Sequence, residues 1–266
     1  LANTFKRALP PKLAYALTRS KKIIFGAVFF KLSRTHPAMV KKLLLKGVGS
    51  QLKDKSLVKK HFTPSYNPLD ERLCAVTDGD MFKGINEGKI SVVTDHIEQF
   101  TENGIQLKSG IILEADIVIT ATGLVLKNPN DTPVFVDGKR IDFPNAFSYK
   151  GMMISGVPNM SNTVCYTNAS WTLKTDLVDK YVCRLINYMD KYQHDCCQPV
   201  LPDDDMVTNP LIDFNSSYVL RSLDKMPQQG RTKPWKLNQN YILDRISLKY
   251  ESVVDGSLVF SSIARK

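Results

Sequence analysis

Two short stretches of the sequence place small polar residues where a ligand could approach the main chain. The first is "YTNASW", residues 166–171, which comes directly before a long segment of helical periodicity. A helix N-terminus has free N–H groups and the positive end of the helix dipole, so it favours negative charge and polar acceptors. An ordinary capped helix, with Asn168, Ser170 or Thr172 as the cap, is the alternative explanation of the same residues.

The second stretch is "EADIVITATGL", residues 114–124. Its apolar run has the length of a strand and is typical of a strand covered on both faces, as in a parallel sheet. The run ends in Ala121, Thr122 and Gly123, and small residues at a strand end indicate that something large comes close to the backbone there.

The cysteines favour a cytoplasmic protein with reduced thiols. There are five, an odd number, and no two have CxxC spacing, which argues against a disulfide framework. The neighbouring Cys196 and Cys197, with His194 close by, leave open a metal site or a vicinal disulfide. We predict instead a surface loop with unused thiols, and no metal site.

Positive charge is concentrated at the start of the chain. Residues 1–60 hold fifteen Lys or Arg and a single acid, Asp54, whereas the rest of the chain is mildly acidic. Neither interleaved aromatic residues nor a recognisable motif accompanies these bases, so we expect no nucleic-acid partner. Peripheral contact of residues 1–60 with anionic lipid is one explanation, and a solvated basic face is the other. The run "IIFGAVFF", residues 23–30, is too short to span a bilayer and is predicted to be a buried helix.

Helical patterns lie at the start and in the second half of the chain. Residues 3–60 are predicted to form several short helices, broken at Pro10–Pro11 and at Pro37. A turn-rich connection begins at residue 61. Residues 171–192 give the most regular pattern, because their apolar side chains fall on one stripe of a helix. The members of this stripe are Leu173, Leu177, Val178, Tyr181, Val182, Leu185, Ile186 and Met189.

Short β-rich runs between residues 90 and 115 predict an antiparallel meander. The runs are "ISVVT", "HIEQFT", "GIQLK" and "IILEA", with turns at "ENG" and "KSG", and they lead into the apolar strand "DIVIT", residues 116–120. Further strands are predicted in 156–170 and in "SLVFSS", 257–262, within an otherwise loop-rich C-terminal part. The predicted fold class is α/β.

Several long motifs, in this order along the chain, resemble the flavin-containing monooxygenases, and more narrowly their Baeyer–Villiger type. The resemblance runs from about residue 5 to about residue 260. A meander followed by a strand ending in Ala-Thr-Gly would also suit a flavin disulfide reductase, but the chain has no redox-active cysteine pair. The motifs are "HFTPSYNPLDERLCAVTDGDMFK", "GKISVVTDHIEQFTENGIQLKSG", "EADIVITATGL", "CYTNASWTLKTD", "MPQQG" and "KPW".

The resemblance implies part of a flavoprotein with two dinucleotide-binding domains, built on Rossmann-like sheets and an antiparallel β-meander, plus a helical insert. The family's Gly-rich turns for FAD and NADPH and its His- and Trp-containing signature are not in this sequence. We therefore expect a C-terminal half that does not bind FAD or turn over by itself. Residues 1–60 would be the basic helical insert of the NADPH domain and 61–120 the end of that domain. Residues 121–266 would return into the FAD domain and form a C-terminal extension.

The mechanism implied by the resemblance uses both FAD and NADPH. NADPH reduces the flavin, O2 adds to give a peroxyflavin, and this species inserts one oxygen atom into a ketone or transfers it to sulfur, as in a thioether or thioamide. An anionic intermediate needs a fixed cation beside it. Arg72, in "NPLDERLC", matches the family's active-site arginine, whose permanently charged fork suits that role. The alternative is that Arg72 only pairs with Asp70 or Glu71 on a loop.

The remaining site residues are also implied by the resemblance. Thr122 and Gly123 would lie in the linker between the two nucleotide domains, where a side chain at 123 would crowd the cofactors. The segment Asn168, Ala169 and Ser170 matches the family's turn that faces the flavin ring. Trp171 would line the substrate pocket, although a large aromatic residue at a helix start also suits a core.

Two other functions remain open. One is a flavin monooxygenase that oxidises only nitrogen or sulfur. The other is a catalytically inactive fragment that uses the basic helices to bind a membrane or a partner protein. An upstream reading frame that encodes a Gly-rich nucleotide-binding turn would favour an enzyme.

Overall fold

The computed structural model describes residues 2–262, apart from 72, 75, 127–131, 203–206 and 213. The chain divides into two compact units. Residues 31–124 form one, called here the small unit, and residues 1–30 together with 125–266 form the other, called the large unit. Both contain helices, and the strands form small antiparallel sheets.

The helices follow the proline breaks at the start of the chain. Both α2 and α3 begin at a proline, where the missing N–H has no helical partner to lose. The predicted breaks are confirmed, although α2, with 25 residues, is longer than the short helices expected there. The helices are α1 (Ala2–Ala8), α2 (Pro11–Thr35), α3 (Pro37–Gln51), α4 (Ser56–His61), α5 (Asp80–Asn86), α6 (Trp171–Tyr192), α7 (Ser217–Leu220) and α8 (Tyr241–Tyr250).

The strands are short and pair mostly in twos. The first three form one sheet in the order β1-β2-β3, and the other pairs are β4 with β5, β6 with β7, β8 with β11 and β9 with β10. Their bounds are β1 (Ile97–Thr101), β2 (Gly104–Leu107), β3 (Ile112–Glu114), β4 (Phe135–Val136), β5 (Lys139–Arg140), β6 (Ser148–Tyr149), β7 (Met153–Ile154), β8 (Cys196–Pro199), β9 (Asn209–Pro210), β10 (Gln228–Gln229) and β11 (Leu258–Ser261).

The small unit contains the predicted β-meander. Strands β1, β2 and β3 are antiparallel neighbours, with Thr101 opposite Gly104 at the first turn. The two turns lie within the predicted "ENG" and "KSG" segments. The meander is therefore confirmed, and so is the last predicted strand, which is β11 of the large unit.

Two strands predicted for the small unit do not form. Residues 90–94 and 116–120 carry no strand in the structure. The side chains of Ile117 and Ile119 are 81% and 86% exposed, so the prediction of a strand covered on both faces is wrong for this chain. An extended apolar segment becomes a strand only when a neighbour supplies ladder hydrogen bonds. Among the described residues, no strand pairs with residues 116–120.

The core of the large unit is built on α6. The helix predicted for 171–192 is confirmed, and its stripe is buried or half-buried except at Ile186, which is exposed. It packs against α8 and against aromatic and sulfur-containing side chains from the rest of the unit. The buried members of this cluster are Phe147, Tyr149, Met152, Met153, Leu177, Val178, Tyr181, Leu185, Cys197, Trp235, Leu248, Val253 and Leu258.

Helix α8 lies in the part of the chain that was predicted to be rich in loops. Its N-cap is Asn240, whose side-chain oxygen accepts hydrogen bonds from the N–H groups of Ile242 and Leu243 at 2.9 and 3.2 Å. A side chain that bonds to the first turn in this way satisfies N–H groups that the helix itself leaves open.

Two further predictions of local structure are wrong. Residues 23–30 are helical within α2, but Ile24, Phe25 and Val28 are exposed, so this segment is not a buried helix. The strand expected within 156–170 does not form either. Asn162 and Val164 donate to single carbonyl groups near β7, and these bonds do not continue as a regular ladder.

Candidate functional site

The segment predicted to face a flavin is the turn directly before α6. Residues 167–169 form a bend, Asn168 and Ala169 are half-buried, and Ser170 is exposed. Ser170 occupies the N-cap with extended backbone angles, φ −62° and ψ 133°. No side chain in the described part of the chain caps this helix. The first turn of α6 therefore keeps N–H groups that a polar ligand edge could accept from.

One residue, Gln239, ties this turn to the segment before α8. The Gln239 carboxamide oxygen accepts from the Thr167 backbone N–H at 3.0 Å, and the Gln239 backbone carbonyl accepts from the Asn168 side-chain amide at 2.9 Å. The Gln239 amide nitrogen donates to the Cys165 carbonyl at 3.5 Å. Gln239 has a φ of +46°, a left-handed conformation that is uncommon for a residue other than glycine.

A buried carboxylate holds both sides of the turn. One oxygen of Asp244 accepts from the Tyr166 hydroxyl at 2.7 Å and from the Lys174 ammonium at 2.8 Å. The other oxygen accepts from the Asn238 side-chain amide at 3.0 Å. Lys174 and Asp244 are only 2% and 4% exposed. A buried ion pair is tolerated when further hydrogen bonds satisfy the remaining polar atoms, which is the arrangement around Asp244.

The backbone at Gly151 leaves room for this network. The Lys174 ammonium donates to the carbonyl of Lys150 at 3.3 Å. Gly151 has a φ of +69°, and a side chain there would come within 2.8 Å of Leu237 and 3.5 Å of the Lys174 ammonium. The backbone angle therefore favours glycine at this position, and a side chain there would displace the end of the Leu237 side chain.

Burial shifts the pKa of the groups in this network. It lowers the pKa of the Lys174 ammonium, and the neighbouring Asp244 carboxylate opposes that shift. Burial raises the pKa of the Tyr166 phenol far above its ordinary range, and Asp244 adds to that shift. Both effects follow because burial disfavours the charged form of each group.

A second buried network lies between β6 and α6. The Tyr149 hydroxyl donates to Asp255 at 2.7 Å and lies 3.1 Å from the Tyr181 hydroxyl. The ammonium of Lys150 lies 3.1 Å from the same carboxylate. Burial raises the pKa of Tyr181 to about 12. This network joins β6, the first strand of the β6–β7 pair, to the middle of α6.

The predicted residues of the small unit lie in an exposed, irregular segment. Thr122 and Gly123 follow the apolar run and are both exposed. Gly123 has a φ of +89°, so a side chain would strain the backbone at this position whatever lies nearby. The expectation that 123 needs a glycine therefore has a physical basis in this chain, and the proximity of these residues to a cofactor remains a prediction.

Arg72 lies outside the described residues, so its role stays a prediction. Asp70, two residues earlier, has a basic partner in Arg34, whose guanidinium nitrogen lies 2.6 Å from the Asp70 carboxylate. The same guanidinium donates to the Leu69 carbonyl at 3.1 Å. Arg34 therefore fixes the loop that leads to residue 72.

Trp171 begins α6 with its side chain 59% exposed. It is therefore not part of the core of the large unit in this chain. An exposed aromatic side chain next to the turn is compatible with a pocket wall, which remains a prediction.

The prediction that Cys196 and Cys197 lie in a surface loop is wrong. Cys196 and Cys197 lie on β8, and Cys197 is buried against the core of the large unit. All five cysteines are free. Nowhere in the described ranges do three or more His, Cys, Asp or Glu side chains come together as a metal site would require.

The turn's supporting residues could not be found from the sequence. Tyr166 and Lys174 lie about seventy residues before Gln239 and Asp244 along the chain, so no local spacing connects the two pairs. One signal was present, since Lys174 lies on the apolar side of the α6 stripe, next to Leu173 and Leu177. A lysine that faces a core must have a buried acidic partner.

Comparison with known proteins confirms the resemblance to FAD-containing monooxygenases. The chain is 45% identical over 261 residues to "FAD-containing monooxygenase EthA" of Mycobacterium tuberculosis, which covers 98% of this chain and 53% of the relative. It is 44% identical over 261 residues to the protein of the same name from Mycolicibacterium smegmatis, with the same coverage. It is 46% identical over 259 residues to "Probable FAD-binding monooxygenase AlmA" of Acinetobacter baylyi, covering 96% of this chain and 51% of the relative.

No protein-family model matches the chain. The chain spans about half the length of the curated relatives it matches. The chain is therefore homologous to about half of the length of each of these FAD-containing monooxygenases.

Proposed function

We propose that this chain is part of an FAD- and NADPH-dependent monooxygenase. The observation that carries the proposal is the 45% identity to an FAD-containing monooxygenase over 98% of the chain. In the complete protein, one oxygen atom of O2 goes to the substrate and the other leaves as water, with two electrons supplied by NADPH. The substrate is a ketone, which becomes an ester, or a thioether or thioamide, which is oxidised at sulfur.

The turn before α6 suits contact with a flavin. Its helix start has no side-chain cap among the described residues, and the small Ala169 side chain lets a planar ring approach the backbone. FAD supplies the redox centre at which O2 is activated. The chain's own part is to present backbone N–H groups of the 168–170 turn to the polar edge of the ring and to hold them in place.

Arg72 is proposed as the fixed positive charge beside the oxygen-transfer site. Negative charge develops during the transfer, and a guanidinium keeps its charge at every physiological pH. Thr122 and Gly123 are proposed to pass beside the cofactors, and Trp171 to line the substrate pocket.

The exposed apolar residues 117–119 are proposed to become a strand of a parallel, Rossmann-like sheet in the complete protein. Its neighbours would come from the part of the relatives that this chain does not span. In that arrangement residues 1–60 are an insert of the NADPH domain, 61–120 close that domain, and 121–266 belong to the FAD domain.

The test uses the complete protein that contains this chain, supplied with FAD, NADPH and O2. We expect the variant Arg72→Ala to keep bound flavin and to lose oxygenated product, whereas the control Arg140→Ala, at an exposed arginine of β5, keeps both. Equal product formation by Arg72→Ala and the unsubstituted protein would refute the role of Arg72. A complete protein that binds no flavin would refute the proposed function.

Oxidation restricted to nitrogen or sulfur is the nearest alternative within this class. The same assay separates the two, because a ketone converted to an ester requires carbon–carbon bond cleavage. Sulfoxide from a thioether without any ester from a ketone would favour the restricted enzyme.

A second candidate function is peripheral binding to an anionic membrane by the N-terminal helices. Within the large unit, α2 exposes Leu13, Leu17, Ile24 and Val28 on one side, next to Lys21. Apolar side chains that enter the lipid interface and lysines that reach the headgroups are the two features that such helices combine. Within the described ranges, no helix has both the length and the apolar character that a membrane span requires. A cytoplasmic location, proposed from the free thiols, would place this face at the inner leaflet.

Sedimentation with lipid vesicles tests this candidate. We expect the chain to sediment with vesicles of mixed anionic and zwitterionic lipid, and Ile24→Glu to weaken that binding, because a carboxylate is costly in the interface and is repelled by anionic headgroups. The control is Lys180→Glu, at an exposed lysine of α6. Equal binding to purely zwitterionic vesicles, or no binding to either, would rule out the proposed surface.

A further inference from the structure

We propose that Gln239 is a positioning residue that sets the 166–170 turn for its cofactor. The inference rests on the proposed function only for the identity of the ligand. It concerns a residue remote in sequence from every predicted site residue, in the segment 237–240 directly before α8.

Three successive polar side chains of the segment 237–240 hold the turn and α8. Asn238 donates to Asp244, Gln239 holds the turn, and Asn240 caps α8. Just before them, the Leu237 backbone N–H donates to the Gln229 side chain at 2.8 Å. Since hydrogen bonds hold both ends of the segment, the backbone of Gln239 is fixed in place and its side chain can orient the turn.

The left-handed backbone angle of Gln239 indicates that the hydrogen bonds of its side chain are needed to hold the turn. A φ of +46° is relaxed for glycine and costs free energy for a residue with a Cβ. The side chain compensates by accepting from the Thr167 backbone N–H and by donating to the Cys165 carbonyl. These two groups belong to residues 165–167, immediately before the proposed flavin-facing residues.

Tyr166 and Lys174 enclose the turn from the other direction. Both bind the same oxygen of Asp244, Tyr166 from the start of the 166–170 turn and Lys174 from the first turn of α6. These contacts fix where the turn begins and where the helix begins. Gln239 fixes the path of the backbone between them, so its loss moves residues 167–170 while the ends stay in place.

The first test uses the chain itself and needs no cofactor. In Gln239→Gly the backbone strain is relieved and the bond to Thr167 is lost. We expect the exchange of the Thr167 amide hydrogen to become about fivefold faster or more, since a hydrogen bond of this kind contributes about 1 kcal/mol. The thermal midpoint should change little, because the two effects on stability oppose each other. Unchanged Thr167 exchange would refute the contact on which the inference depends.

The second test uses the complete protein and FAD. We expect Gln239→Gly to weaken FAD binding about tenfold and to change the vibrational structure of the bound flavin's absorption band, with the thermal midpoint of the protein free of FAD nearly unchanged. The matched control is Gln228→Ala, a half-buried glutamine that donates to the Pro144 carbonyl instead. It should leave both flavin properties as they are.

The outcomes separate this inference from the proposed function. If the unsubstituted complete protein binds FAD and Gln239→Gly binds it equally, with the same spectrum, the positioning role is refuted and the proposed function stands. If Gln239→Gly and Gln228→Ala weaken binding alike, the effect is general to the unit and the positioning role is refuted as well. If the unsubstituted protein binds no FAD, the proposed function fails first and this inference fails with it.

Discussion

The turn before α6 and the apolar segment after the β-meander were both selected from the sequence, yet their surroundings differ sharply. The turn rests on a buried network in which Lys174 and Asp244 are almost fully covered. In the other segment, Ile117 and Ile119 expose most of their surface and have no strand beside them among the described residues. The turn finds its hydrogen-bond partners within its own unit, whereas the apolar segment is left uncovered in its unit.

This difference shows which parts of the fold form from neighbouring residues of the chain and which parts need distant segments. A helix makes its own backbone hydrogen bonds, so α6 and the turn before it need only side-chain support from the same unit. A parallel strand must receive its hydrogen bonds from other segments. The chain spans about half of its relatives, and the apolar segment is the part of the described structure that most needs the rest.

The largest effect should come from removing the carboxylate beneath the turn. Asp244→Ala leaves the Lys174 ammonium buried without its partner, and we expect the free energy of unfolding of the large unit to fall by about 3–5 kcal/mol. The control Asp176→Ala breaks the half-exposed pairs with Arg19 and Lys180 and should cost about 1 kcal/mol or less. Urea denaturation followed by circular dichroism measures both. Similar losses in the two variants would mean that the Asp244 network is not structurally important.

A matched pair of truncations compares the two regions directly. Leu177→Ala, in the buried stripe of α6, should lower the free energy of unfolding by about 2–5 kcal/mol, whereas Ile119→Ala should change it by less than about 0.5 kcal/mol in the 266-residue chain. In the complete protein, Ile119→Ala should become costly if the segment is then a covered strand. A large cost in the isolated chain would show that Ile119 is already buried.

A smaller effect should appear at high pH. Burial raises the pKa of Tyr181 to about 12, against about 10 in the unfolded chain. The folded state then holds its proton over a range in which the unfolded state releases it. This contribution to stability is complete below about pH 10 and is lost between about pH 10 and 12, for a total of about 2–3 kcal/mol. Denaturation at a series of pH values should show a shallower decline in Tyr181→Phe, and an identical decline would contradict the assignment to this tyrosine.

The sequence predicted those parts of the fold that depend on local pattern. The apolar stripe of residues 171–192 was sufficient to place α6 because helical periodicity is a property of one segment. The turns of the β-meander were likewise visible as "ENG" and "KSG". Helix α8 was missed since its N-cap, Asn240, lies in a polar stretch that also suits a loop.

Only the turn of the candidate site could be predicted from the sequence, and the buried residues that hold this turn could not. Asn168, Ala169 and Ser170 were proposed from the resemblance, and their position before a long helix was visible in the pattern. Gln239 and Asp244, which hold that turn, lie about seventy residues further along the chain. Only the folded arrangement of α6 and α8 brings these residues together, so spacing within one segment could not reveal them.

Flavin binding, measured by titration with FAD and followed by the flavin's absorption and fluorescence, tests the proposed role of the chain most directly. The 266-residue chain and the complete protein that contains it should be compared in the same experiment. We predict that the complete protein binds FAD and that the chain alone does not, because the chain presents the turn but lacks a Gly-rich turn for the nucleotide. Absence of binding by the complete protein would contradict the proposed function, and tight binding by the chain alone would contradict the view that the site needs both halves.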